Sequence, residues 1–202
     1  MKFFSLENPI WKFIGNLADF FLLSCLWYLC CLPVVTAGAA TTALYYVTLK
    51  MARGQEGQLI PAFFHSFKQN LKQATALWVG YLAVGILLVL DLVICLQTSS
   101  VFAGAMFFTS IVLLACWALF ITMLFPLVAR CDNTIGALFK MGIAMKLRNV
   151  MPVLAALMVT VAFFAVGVFV FWPVLLVAPG LASYCNAFLF NRIFDKYGMT
   201  LE

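Results

Sequence analysis

Charge is what this chain of 202 residues has least of: only 9% are Asp, Glu, Lys or Arg, against about 25% in an ordinary soluble domain. So few charged side chains cannot coat a water-facing surface, which excludes a soluble globular fold. Histidine is nearly missing too. His65 is the only one, and a lone histidine makes neither a metal site nor a Ser/His triad. The seven cysteines (Cys25, Cys30, Cys31, Cys95, Cys116, Cys131, Cys185) contain no C-x-x-C pair. They lie in or beside apolar runs, where free thiols behave as small hydrophobes, so neither a disulfide framework nor zinc is expected. Walker, H-E-x-x-H and G-x-S-x-G patterns do not occur. The chain is therefore read as no enzyme, with no metal and no cofactor.

Hydrophobic residues make up 66% of the chain. They form several runs of about 20 residues, each long enough to cross about 30 Å of hydrocarbon as a helix. The net charge of +5 could point to nucleic acid, but the basic residues fall in short segments between apolar runs, as membrane orientation requires. Lys2, Lys12, Lys50, Arg53, Lys68, Lys72, Arg130, Lys140, Lys146, Arg148, Arg192 and Lys196 all occupy the tails or alternate connections. By the positive-inside rule both termini are cytoplasmic, and no nucleic acid is expected. The same map rejects Ala37-Gly38-Ala39 as a signal cleavage site, since cleavage there would put Lys50 and Arg53 outside.

The expected fold is all-α: a polytopic membrane protein of about six spans in three hairpins, forming a single domain. Hairpin 1 covers about 9–52, an amphipathic linker 53–73, hairpin 2 about 74–129, a second linker 130–149, hairpin 3 about 150–193 and a polar tail 194–202. Asn8-Pro9 suits a helix start, with Trp11 and Lys12 at headgroup level. Small residues from Thr36 to Ala43 predict close helix packing in the first hairpin. Its second arm, Ala37 to Met51, is only about 22 Å long and reads as a short span or a re-entrant helix. Ile60 to Gln73 predicts a helix lying at the interface, with Ile60, Phe63, Phe64, Phe67 and Leu71 on one face. Gln97-Thr98-Ser99-Ser100 turns the second hairpin.

Three groups could carry function. Asp19 and Lys50 fall at similar depth and are expected to form a structural ion pair, or Asp19 a hydrogen bond to Thr48. Asp91 is an intramembrane acid with no cation in its half of the membrane. Pro179 and Gly180 would break the last span at a similar depth, so Asp91, Pro179, Gly180, Ser183 and Asn186 form a candidate polar pocket. On the linkers, Phe64, Phe67, Lys68, Met141, Met145 and Lys146 are candidates for docking a cytoplasmic partner, beside their role as interface anchors.

Four stretches carry a resemblance. They are Asn8-Pro9-x-Trp11 with Leu17-Ala18-Asp19; Cys31-Leu32-Pro33-Val34-Val35-Thr36-x-Gly38; Thr42-Ala43-Leu44-Tyr45-Tyr46; and Phe67-Lys68-Gln69-Asn70-x-Lys72-Gln73-Ala74. In these the chain resembles the YesL-like family of small bacterial integral membrane proteins, which has no assigned biochemical activity. The resemblance implies a bacterial plasma-membrane location, and an accessory role beside carbohydrate ABC uptake subunits in sugar uptake or sensing. A direct permease role is not expected, because neither linker carries a clear Glu-Ala-Ala loop. The alternative is an autonomous small-solute transporter or channel built on Asp91 and the Pro179-Gly180 break. Membrane lipids are the other expected partners.

Overall fold

The computed structural model describes residues 9–55, 57–97, 101–131 and 133–199, with side chains left out at 9–16, 101–103 and 105. The Asn8 cap, the Trp11 and Lys12 side chains, the turn at 98–100 and the last residues of the tail lie outside that description. The described residues are helical: α1 Pro9–Cys31, α2 Ala37–Met51, α3 Leu59–Gln97, α4 Val101–Val128, α5 Ile135–Arg148, α6 Val150–Phe169 and α7 Ala178–Lys196. Among the described residues three stretches are long and apolar enough to cross a membrane: Leu59–Gln97, Met106–Val128 and Val150–Phe169. The part of α1 whose side chains are described, Leu17–Cys31, is apolar as well.

α2 is the centre of the molecule, with α1, α3, α4 and α7 packed around it. Ten of its residues are buried, Gly38, Ala39, Ala40, Thr42 and Ala43 among them. Threonine is a modest helix former, yet here each hydroxyl is satisfied inside the helix. Thr41, Thr42 and Thr48 donate to the carbonyl oxygens of Ala37, Gly38 and Leu44 at 2.8, 2.9 and 3.0 Å, so no free hydroxyl is buried.

The small-residue stripe serves a different neighbour from the one expected. A Cβ at Gly38 would lie 2.6 Å from the Trp78 Cβ and 2.7 Å from the Ala74 carbonyl oxygen, both on α3. α1 and α2 do form a hairpin, held by Thr36 Oγ1 donating to the Cys30 carbonyl oxygen at 2.6 Å and Trp27 Nε1 to Thr41 Oγ1 at 3.1 Å. The backbone that Gly38 meets, however, is that of α3.

Two further expectations are corrected along α3. No separate interfacial helix precedes the second span, because Leu59–Gln97 is one helix of 39 residues, about 58 Å long. Between Gln69 and Ala74 there is neither glycine nor proline to interrupt it, and Pro61 falls in its first turn, where proline is tolerated. The face buried on 59–73 is Phe63, Ser66 and Asn70, followed by Ala74 and Leu77, a 3–4 spacing that follows the α2 contact. Ile60 and Phe64 stay exposed. Depth changes as well: Trp78 Nε1 donates to the Val34 carbonyl oxygen at 2.7 Å. The first hairpin's turn thus sits beside the start of the expected second span instead of at its far side. Beyond Trp78 the α3–α4 pair runs on past that turn, joined by the Tyr81–Trp117 stack.

The last hairpin also departs from its expected form. Pro179-Gly180 does not break a span. A 3-10 helix, Trp172–Leu176, precedes it, and Pro179 stands in the first turn of α7, where a missing N–H costs no hydrogen bond.

Candidate functional site

Asp91 lies on α3 and its carboxylate accepts a hydrogen bond from Ser110 Oγ on α4. Ser110 is buried, and its Oγ also lies 2.9 Å from the Met106 carbonyl oxygen, the other acceptor within its reach. The acid is therefore held by the neighbouring helix of its own hairpin. Exchanging Asp91→Leu and Ser110→Ala, singly and together, should give a coupling energy of about 0.6–1.7 kcal/mol, from the average to the largest value found for interhelical hydrogen bonds in membranes. Reversible unfolding in mixed micelles reads it, and strictly additive losses would show that the two side chains do not meet.

The other members of the expected pocket lie elsewhere. Gly180 N–H donates to Ser24 Oγ at 2.9 Å, and a Cβ at Gly180 would come 2.6 Å from the Phe20 carbonyl oxygen. Here α1 and α7 touch backbone to backbone. Ser183 Oγ turns back on the Gly180 carbonyl oxygen at 2.9 Å. One turn on, Asn186 Nδ2 donates to Thr160 Oγ1 of α6 at 2.9 Å and lies 3.4 Å from the Tyr45 hydroxyl of α2. Asn186 is fully buried and its Oδ1 has no hydrogen-bond partner. Pro179, Gly180, Ser183 and Asn186 are thus one α7 group facing α1, α2 and α6. Among the described residues no hydrogen bond joins them to Asp91.

Asp19 and Lys50 do not pair. Lys50 Nζ folds back one helical turn onto the Tyr46 hydroxyl at 2.7 Å, with the ammonium 4.5 Å from that ring's centre. Thr48 is spent on its own helix. Asp19 instead lines a cavity of about 410 Å³ with Met51, Gly54, Gln55 and Tyr184.

The linker residues divide. Phe64 and Lys68 are exposed. Phe67 stacks on Phe63, their centroids 6.4 Å apart, and Met141 and Met145 pack into the main core. Lys146 donates to the Cys116 carbonyl oxygen at 3.2 Å, and burial lowers its pKa from the usual lysine value. The amphipathic period is right, but α5 turns its methionine face toward α4 and α6. Its exposed large apolar side chains are Ile135, Phe139, Ile143 and Leu147.

Sequence reasoning missed the densest polar cluster. Arg53, just past the end of α2, and Arg130, just past α4, both donate to Asn191 Oδ1 on α7, at 3.1 and 3.0 Å. Asn191 Nδ2 in turn donates to the Leu49 carbonyl oxygen at 3.0 Å. Asp195, one turn further, is in salt-bridge contact with both arginines. Gly198, at φ 69°, lets the chain reverse so that the Met199 N–H caps Phe194 and its carbonyl oxygen accepts from Arg130. The Arg130 side chain is fully buried, over the Phe194 ring, and its Nε has no partner. Burial and the neighbouring Arg53 guanidinium lower the Arg130 pKa, with Asp195 opposing. Two cations beyond helix C-termini also meet favourable dipole ends. The available signal was Asn191 and Asp195 four residues apart on one helix face.

With this geometry in view, the relationship to known proteins is limited. Residues 20–92 match the family model described as protein of unknown function, DUF624. No curated protein and no solved structure matches. The DUF624 segment takes in α1 from Phe20, all of α2, and α3 as far as Leu92. It therefore holds the α2–α3 contact, Asp91 and Arg53, and leaves out Ser110, the Asn186 group and, of the arginine cluster, Arg130, Asn191 and Asp195.

Proposed function

We propose that the protein is a non-enzymatic subunit of the bacterial plasma membrane, with both termini cytoplasmic, that associates with a carbohydrate ABC-type uptake or sensing complex. The observation that carries this reading is the free-standing outer part of the α3–α4 hairpin. Val84, Ile86, Leu87, Val89, Leu90, Val93 and Ile94 are all exposed. Positions that close together point to every side of a helix, so the stretch has the rest of the chain on few of its sides. A helix apolar all round belongs in lipid or among other membrane helices. The interior polar groups favour a structural over a transporting role: Asp91, Ser24 and Asn186 each bind a neighbouring helix. The sugar-uptake assignment rests on the YesL-like resemblance.

Recovery from native membranes in mild detergent tests the reading. Sugar-uptake permease or binding subunits should accompany the tagged chain, and Leu87→Lys with Leu90→Lys should lower their recovery at least fivefold. The chain recovered alone would overturn it.

A further inference from the structure

At the basic end of the α3–α4 pair two hollows meet, the first more polar than the second. An open recess of about 620 Å³ is bounded by Lys72, Gln73, Asn133 and Thr134, and an apolar groove of about 640 Å³ begins where it ends; Ile135 borders both. Gln73 Nε2 donates to the Asn133 carbonyl oxygen, which ties the α4–α5 connection to α3 and shapes the recess. Thr134 precedes α5 and its hydroxyl makes no capping bond.

The groove runs between α3 and α4 from Ala76 to Leu88, about 18 Å along the helix. That compares with about 15 Å for one leaflet of a 30 Å hydrocarbon core. Tyr81 and Trp117 line it, stacked at 4.0 Å, with Trp117 Nε1 already donating to the Tyr81 carbonyl oxygen at 3.0 Å. No indole N–H is left for a polar guest. Gly80 on the groove wall is informative. Gly38, Gly85 and Gly180 each hold a neighbour where a Cβ would go, but at Gly80 nothing lies within 4 Å. Glycine weakens a helix, and here no packing among the described residues accounts for it. Its effect is to keep the groove open.

We propose that this composite site binds one anionic phospholipid, an acyl chain lying in the groove past Gly80 and the phosphate in the recess at Lys72 and Thr134. A free phosphate would leave the groove empty, and an uncharged amphiphile would leave Lys72 unused. Lys68 and Lys140, both exposed, lie four residues from Lys72 and five from Ile135 in the chain. Basic residues so close to a span favour anionic headgroups.

The test is native mass spectrometry of the full chain in mild detergent, titrated with phosphatidylglycerol or phosphatidylcholine. One phosphatidylglycerol should be retained at least fivefold more tightly than phosphatidylcholine. Gly80→Leu should cut retention at least tenfold, while Gly104→Leu, equally open at its Cβ but outside the groove lining, should leave it unchanged. Lys72→Gln should abolish the headgroup preference and keep binding of both lipids. Wild-type retention by a Gly80→Leu protein with unaltered unfolding temperature overturns the proposal. So does a preference that survives Lys72→Gln, which decides the matter should Gly80→Leu fail to fold, and so does displacement of the lipid by inorganic phosphate.

Discussion

Gly38→Val should destabilise the protein by about 3 kcal/mol, at the upper end of the usual cost of overpacking. The reason is the kind of atom in the way. A Cβ at that position meets the Trp78 Cβ at 2.6 Å and the Ala74 carbonyl oxygen at 2.7 Å, and neither can rotate aside, because one is backbone and the other is bonded to it. Phe125, 3.1 Å away on α4, blocks the remaining direction. Relief requires α3 to move off α2, which also lengthens the bond from Trp78 Nε1 to Val34 and opens the first hairpin's turn. Equilibrium unfolding in detergent measures the loss. A Gly38→Val protein as stable as the wild type would mean that α2 and α3 do not approach this closely.

Asn191→Leu should cost a similar amount, about 3 kcal/mol, for a different reason. The substitution keeps the volume roughly constant but strips an acceptor from two arginines and a donor from the Leu49 carbonyl oxygen. Hydrogen bonds to charged groups contribute about 1.5–3 kcal/mol each, and most is lost when the partner stays buried. Arg130, with no exposed side-chain surface, is the costly one; Arg53, partly exposed, can turn toward water. Asp195 is more than half exposed, so its ion pairs are screened and replace little of the loss. Pairing Asn191→Leu with Arg130→Met in a double-mutant cycle isolates the interaction. Recovery of about half the loss in the double variant is the expected outcome, since the buried charge is then gone as well. A full, additive loss would place the defect elsewhere.

The two substitutions also mark where sequence reading stops. α2 is found from Ala37 to Met51, as the small-residue run and its flanks predict, because local composition and the preceding Pro33 settle those ends. Which helix would use that small face was not legible, since any close neighbour satisfies it. α3 shows the opposite failure. The change from amphipathic to apolar at Ala74 suggests a boundary between two elements, yet backbone hydrogen bonding passes through it because hydrophobicity does not interrupt a helix. Asp91 stands out in the sequence as an uncompensated acid, but its partner Ser110 does not, because serine in an apolar run gives no periodic signal. The arginine cluster was hidden for a related reason. Arg53, Arg130 and Asn191 lie far apart in the chain and meet only because α2, α4 and α7 end together.

Read alone, the residues were enough to determine the solvent class and helical nature of the chain: so little charge among runs of about 20 apolar residues leaves only helices that satisfy their own backbone in lipid. Tertiary structure alone decided which helix lies against which, and hence that Asp91 and Asn186 belong to different contacts. In lipid, apolar faces are nearly interchangeable, and the choice between them falls to a few close backbone approaches and hydrogen bonds whose partners are remote in sequence.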